Sequence, residues 1–142
     1  NSLATLYQSQ GNYEQAELLY LRSLRIREQQ QGPDHPYAAI TSGRLATLYR
    51  EQGRYAEAEP LYLCALSTLE EQRGPEHSDT TNVLANLAIL YQKQGRYEEA
   101  KPLYQRALAS DEKRLGSEHP AIMLLREQYT LLLRSDVAKH DA

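Results

Sequence analysis

The chain is predicted to be all-α, a right-handed α-solenoid of antiparallel helix pairs with about three repeats and a C-terminal capping helix. Three observations predict it. A glycine recurs at a fixed step of 42 residues, as Gly11, Gly53 and Gly95. Between these glycines apolar residues fall three and four apart, the period of an amphipathic helix. The alternation of apolar and polar residues that marks a strand does not occur. Self-similarity at a constant step belongs to stacked units, each of which buries its apolar face only against its neighbours.

Each unit reads as helix A, a tight turn and helix B. In the segment 44–52, RLATLYREQ, Leu45, Leu48 and Tyr49 share one face, with Ala46 beside them. Gly53 then stands where a left-handed C-terminal cap is wanted. The second helix starts near Tyr55 and carries Ala58, Leu61, Tyr62, Ala65, Leu66 and Leu69 on one stripe. Gly32, Gly74 and Gly116 end the B helices and open loops of the form GPDHP, GPEHS and GSEHP. Pro36 and Pro120 suit the first turn of the next helix, where a missing amide has no partner to lose. The expected spans are A 1–10, B 13–31, A 36–52, B 55–73, A 78–94, B 97–115 and a last A-type helix near 119–136, with 135–142 as a fraying tail.

These spans imply one repeat domain over 1–142, made of a partial first repeat 1–31, repeats 36–73 and 78–115, and the capping helix 119–136. The chain opens inside a repeat without a methionine and is expected to be a fragment of a longer protein. Ala16, Ala58 and Ala100 are small where A and B must approach, and Ser23, Ala65 and Ala107 where B meets the next A. Nine of the 11 tyrosines occupy repeat positions, led by Tyr20, Tyr62 and Tyr104, which assigns them to the core. Pro60 and Pro102 lie a little past the first turn of their B helices and are expected to tilt them slightly.

Of the 142 residues, 41% are apolar and 25% charged, a globular composition. The net charge of −3 argues against nucleic acid as a partner, and no apolar run is long enough to suggest a membrane. Cys64 is the single cysteine, so an internal disulfide is excluded and a reducing, cytoplasmic setting is expected. No phosphate loop, dinucleotide fingerprint, HExxH or GxSxG motif is present, so neither an enzyme nor a cofactor is expected. His35, His77 and His119 recur at equivalent loop positions. Stacked repeats place such positions about 10 Å apart, too far for one zinc ion, which needs ligands at about 2.1 Å. Their expected role is to organise each loop by hydrogen bonding. The carboxylates Glu14, Glu17, Glu57, Glu59, Glu98 and Glu99 fall early in B helices, where a solvated face and the helix dipole favour them. Cys64 has no neighbouring His motif to activate it and reads as an inert surface thiol.

Leu45, Ala46, Tyr49, Gly53, Tyr55, Ala58, Tyr62 and Ala65 together resemble the tetratricopeptide signature, and the other units match likewise. The usual period is about 34 residues. The step of 42 and the EAEPLY string at 57–62 are similar to the kinesin light chain subclass and to bacterial proteins built on such units. The resemblance implies that the A helices line a concave groove and that the chain is a protein–protein interaction module, a scaffold or adaptor.

The outward A-helix phases run through Ser2, Thr5 and Gln8, then Ile40, Gly43, Arg44, Thr47 and Arg50. They continue through Asn82, Ala85, Asn86, Ile89 and Lys93, and end with Leu124, Glu127, Gln128, Leu131 and Arg134. The residues expected to contact a peptide are Arg44, Thr47, Arg50, Asn82, Asn86, Ile89, Lys93, Leu131 and Arg134. Basic groups outnumber Glu51 and Glu127 there, which points to an extended, acidic peptide with apolar anchors near Ile89 and Leu131. Kinesin light chains recognise aromatic-acidic peptides, and the resemblance points the same way. Their paired asparagines appear here as Ala85–Asn86 and Gly43–Arg44, a partial match only. The alternative reading is a self-assembly or sensor segment of a larger bacterial signalling regulator with an upstream nucleotide-switch ATPase. Self-association would then run through the terminal helices, with Ile122, Met123, Leu124 and Leu131 in the last. The bulky mid-A residue of the signature is Ser42, Leu84 and Arg126 in successive helices; Arg126, Glu127, Gln128 and Arg134 suit a cap with one wet side.

Overall fold

The computed structural model describes the backbone of residues 2–32, 34–116 and 118–141, and side chains from residue 3 to residue 138 of these. Pro33 and Ser117 of the loop motifs, the side chain of Ser2 and the chain ends Asn1 and Ala142 lie outside the described residues. Seven helices follow one another among the described residues: α1 (Ser2–Ser9), α2 (Tyr13–Gln31), α3 (Pro36–Glu51), α4 (Tyr55–Arg73), α5 (Ser78–Lys93), α6 (Tyr97–Leu115) and α7 (Pro120–Asp141). By their contacts they form two compact units, Asn1–Pro75 with α1 to α4 and Glu76–Ala142 with α5 to α7. In the first unit each helix packs on the next, and in the second α5 packs on α6 and α6 on α7.

Every A-to-B turn is made the same way. After α3 the Gly53 N–H donates to Arg50 O at 3.0 Å and the Arg54 N–H to Tyr49 O at 2.8 Å. After α5 the Gly95 N–H donates to Gln92 O at 3.0 Å and the Arg96 N–H to Tyr91 O at 2.8 Å. This crossed pair satisfies the last carbonyls of a helix and requires a residue at positive φ, here 79° at Gly53 and 76° at Gly95. The next helix starts within the same turn, since Arg54 O accepts from the Ala58 N–H and Arg96 O from the Ala100 N–H.

The histidines cap the A helices. His35 Nδ1 accepts the Tyr37 N–H at 3.2 Å, His77 Nδ1 the Asp79 N–H at 3.0 Å and His119 Nδ1 the Ala121 N–H at 3.2 Å. Each satisfies an amide that the first helical turn leaves without a partner. Pro36 sits at the start of α3, where its missing N–H costs nothing. The loop-organising role expected of these residues thus has a definite form, a side-chain N-cap repeated at the same step as the turn glycines.

Small residues let the helices meet. Ala46 and Ala58 in the first unit, and Ala88 and Ala100 in the second, are without exposed surface. Around them close Tyr20, Tyr62, Leu48 and Leu69 in the first unit and Tyr104, Leu84, Leu90 and Leu132 in the second. Of the tyrosines at repeat positions, Tyr20, Tyr49, Tyr62, Tyr91 and Tyr104 are buried, whereas Tyr7, Tyr13, Tyr55 and Tyr97 are half-buried and close the turns. Pro60 and Pro102 lie inside continuous helices with their rings exposed.

The C-terminal end differs from expectation. Residues 135–141 are helical rather than a fraying tail, and α7 extends five residues past position 136. Two causes are visible. Where Gly53 and Gly95 turn the chain, the equivalent position is Val137, which cannot take the left-handed cap without strain. In addition the Asp136 carboxylate is buried against α6 and paired with the Lys101 ammonium, which pins the final turns. Asp136 is also the main reason that the Lys101 pKa is raised.

Candidate functional site

The best-defined electrostatics lie at the A-to-B turns. Arg54, one residue past the turn glycine, lays its guanidinium 4.2 Å from the Tyr49 ring centroid. It also donates twice to Glu57, at 2.9 and 2.6 Å, and once to Glu17 of α2 at 3.2 Å. Glu17 accepts from the Tyr49 hydroxyl at 2.9 Å as well. Burial, reinforced by this hydrogen bond to a carboxylate, pushes the Tyr49 pKa up to about 12. Arg96 repeats the motif over Tyr91 at 4.1 Å, with Glu99 at 2.9 and 2.6 Å. The early B-helix carboxylates are therefore not simply a solvated face; Glu57 and Glu99 are exposed, yet each is held by an arginine.

Those arginines lower the pKa of Glu57 and Glu99 below the ordinary 4.5. A depressed folded-state value contributes stability that is present above 4.5 and is lost as the pH falls through the folded pKa. The Arg54→Met/Arg96→Met protein is therefore expected to have a lower urea midpoint than the parent at pH about 7. The gap should narrow as the pH falls below 4.5 and through the lowered pKa of the two carboxylates. A gap that stays equally wide would show that packing of the arginine over the tyrosine, and not the ion pair, carries the effect.

The first unit holds a cleft of about 950 Å³ between the exposed faces of α1 and α3, floored by α2. Thr5 and Gln8 of α1 and Ile40, Arg44 and Thr47 of α3 line it, which are five of the outward A-helix residues read from the sequence. Its polar floor is ordered. The Tyr20 hydroxyl donates to Gln8 Oε1 at 2.9 Å and lies 3.3 Å from Thr5 Oγ1. Gln8 Nε2 donates to Glu51 at 3.0 Å. Thr47 Oγ1 donates to Gly43 O at 3.1 Å and meets the Tyr62 hydroxyl at 2.5 Å, so it is largely committed to its own scaffold. Arg44 is exposed, whereas Arg50 is half-buried and does not line the cleft. Its charge instead acts on the buried Tyr62 hydroxyl, whose pKa burial raises.

Five lining residues escaped the sequence reading in their role here: Ser9, Tyr20, Arg27, Tyr37 and Thr41. Arg27 stands 5.4 Å from the Tyr37 ring centroid at the rim. Its equivalents one and two steps later are Leu69 and Asp111, both buried. A long cation where the repeat otherwise buries its side chain was the available signal.

The second unit presents Asn82 and Lys93 exposed on α5, with Asn86 and Ile89 half-buried beside them. On α7, Leu131 is 49% exposed and Arg134 is exposed. Within this unit Gln92 accepts from the Tyr104 hydroxyl at 2.7 Å, and Tyr104 and Tyr129 stack at 5.8 Å. Among the described residues no group of three His, Cys, Asp or Glu side chains could hold a metal ion. None of the described helices is long and apolar enough to cross a membrane. Cys64 is exposed.

Helix hairpins repeated at one step, with polar faces left over by the core and an open cleft between two A helices, define a helical-repeat protein-interaction module. A tetratricopeptide repeat model matches residues 1–71, 38–113 and 79–133, and the chain belongs to that family. Among solved structures it is similar to BtubC (BKLC) from P. vanneervenii, with a TM-score of 0.84 and 24% identity over 98% of this chain and 56% of that one. It is also similar to a putative kinesin light chain with nearly identical TPR-like repeats from Podosopora anserina, with a TM-score of 0.87 and 25% identity over 97% of this chain and 66% of that one. A point-substituted form of that Podosopora anserina protein gives a TM-score of 0.86 and 24% identity over the same shares of the two chains. The fold is thus the all-α repeat of tetratricopeptide solenoids, of the kinesin-light-chain-like kind. The chain spans less than two thirds of the length of each of these neighbours. No curated protein sequence matches it.

Proposed function

We propose that the module binds an extended, acidic peptide segment of a partner protein, and that the cleft between α1 and α3 is its principal seat. The observation that carries this reading is the pairing of two rim arginines, Arg27 and Arg44, over a polar floor, in a chain whose net charge is −3. Among the described residues lining the cleft two arginines face one carboxylate, Glu51, which accepts from Gln8, so the lining carries a net positive charge. Ile40 and the Tyr37 ring add apolar surface for one anchor side chain. Asn82, Asn86, Ile89 and Lys93 of α5 and Leu131 and Arg134 of α7 supply the second unit with amide donors, cations and apolar anchors of the same kind. Cys64, exposed and not in a disulfide, suits a reducing, cytoplasmic setting.

The test is a titration of labelled acidic and neutral peptides against the parent chain and Arg27→Glu/Arg44→Glu. For acidic peptides the dissociation constant is expected to rise about tenfold or more, with the parent's salt dependence flattened. Binding that is equally strong in the double variant would remove the cleft from the reading.

A further inference from the structure

Helix α7 carries a face that the repeat normally covers. Positions 39, 46 and 49 of α3 are buried, as are 81, 84, 88 and 91 of α5. Both helices are followed by a B helix that packs on them, α4 and α6. The equivalent residues of α7 are Met123, Arg126, Thr130, Leu133 and Val137, the last replacing the turn glycine. No following helix covers them among the described residues. Met123 is 60%, Leu133 40% and Val137 58% exposed, and Thr130 is exposed too. The side that faces α6 is separate: Ile122, Leu125, Leu132 and Asp136 are buried about a third of a turn away around the helix.

The spacing of that open face is 3, 4, 3, 4 (123, 126, 130, 133, 137), the seam of a two-stranded helical pair rather than a scatter of apolar residues. Arg126 interrupts it only in part. Its guanidinium is drawn to Glu112 of α6 at 2.5 Å, which leaves the aliphatic stem to cover an apolar neighbour. Flanking the seam on the side away from α6 are Glu127 and Arg134, both exposed.

We propose that this face is an interface between two copies of the chain, paired antiparallel through α7 about a two-fold axis at Thr130. In that register Met123 of one copy meets Val137 of the other, Arg126 meets Leu133, and Thr130 meets its own equivalent. Glu127 then lies against Arg134 of the other copy, and the symmetry makes this ion pair twice. Charge complementarity decides for this occupant. A parallel pair would set Glu127 and Arg134 of the two copies on opposite sides of the seam, where neither meets a counter-charge. The interface does not use the cleft of the first unit, so the peptide titration on Arg27 and Arg44 tests that reading separately, and Arg134 is the one residue common to both.

Sedimentation of the 142-residue chain over a concentration series tests it. The parent should pass from monomer to dimer, and Leu133→Glu, at an exposed position that leaves the fold intact by circular dichroism, should raise the dissociation constant about tenfold or more. Glu127→Arg alone should weaken the dimer, and Glu127→Arg/Arg134→Glu should restore it. In a Cys64→Ser background, Thr130→Cys should give a disulfide-linked dimer on mild oxidation and Leu124→Cys should not. A chain that stays monomeric throughout overturns the proposal. So does a dimer indifferent to Leu133→Glu, one lost on Leu3→Glu/Leu6→Glu instead, or a double charge reversal no better than the single one.

Discussion

Tyr62→Ala is expected to destabilise the first unit by about 3–5 kcal/mol, while Tyr62→Phe costs about 0.5–1.5 kcal/mol. The ring is without exposed surface on α4, one turn along from the equally buried Ala58, and its hydroxyl reaches Thr47 of α3. Truncation leaves a void that these helices cannot close, because Ala46 and Ala58 already set the spacing. Phenylalanine keeps the ring and gives up only the hydroxyl contact to Thr47 at 2.5 Å. Urea unfolding of the three proteins, followed by far-ultraviolet circular dichroism, gives the two differences directly. Equal losses for the two variants would mean that the hydroxyl network, and not the packed ring, holds the hairpin.

Leu132→Ala has a comparable local cost with a different readout. Leu132 is without exposed surface and anchors α7, which packs in the second unit on α6. A loss of about 2–3 kcal/mol falls on a helix whose packing in the unit is chiefly against α6, so α7 should open locally before the unit unfolds. Amide exchange within 120–141 should then quicken about 30- to 100-fold while α5 and α6 keep their protection. If exchange rose evenly over the whole second unit, α7 would have to be read as part of a single cooperative block.

Much of this molecule is legible in its sequence because the same local problem is solved three times. Gly53 and Gly95 hold positive φ where the turn requires it, and helix ends fall within a residue or two of the places that glycines, prolines and histidines mark. The buried tyrosines follow from their step of 42. What failed to be legible lies where periodicity stops informing. The length of α7 depends on Val137 in place of a glycine and on one ion pair, Lys101–Asp136, between side chains at distant positions of two successive helices. A charged, polar C-terminal segment read alone says tail.

The interaction surface was half legible for a related reason. Helical phase finds Ile40, Arg44 and Thr47, since it reports which way a residue points from its own axis. It does not report that Arg50 is half-buried with its charge acting on Tyr62, that Thr47 is committed to Tyr62, or that Arg27 of α2 reaches the rim beside Tyr37. Those depend on the neighbouring helix. The Arg54 and Arg96 clamps were hidden likewise, because an exposed arginine and an exposed glutamate three apart look like ordinary surface until the tyrosine beneath them is seen.

The histidine caps carry an implication for how such chains grow. The stretch from His35 to Gly74 begins with its own N-cap, contains its own turn, and ends on a glycine whose N–H closes α4. Nothing in its ends has to be supplied by whatever comes before or after. An in-frame duplication of one such period would deliver a hairpin with both boundaries already written, so gene-level copying needs no later mutations to define where the new helices start and stop.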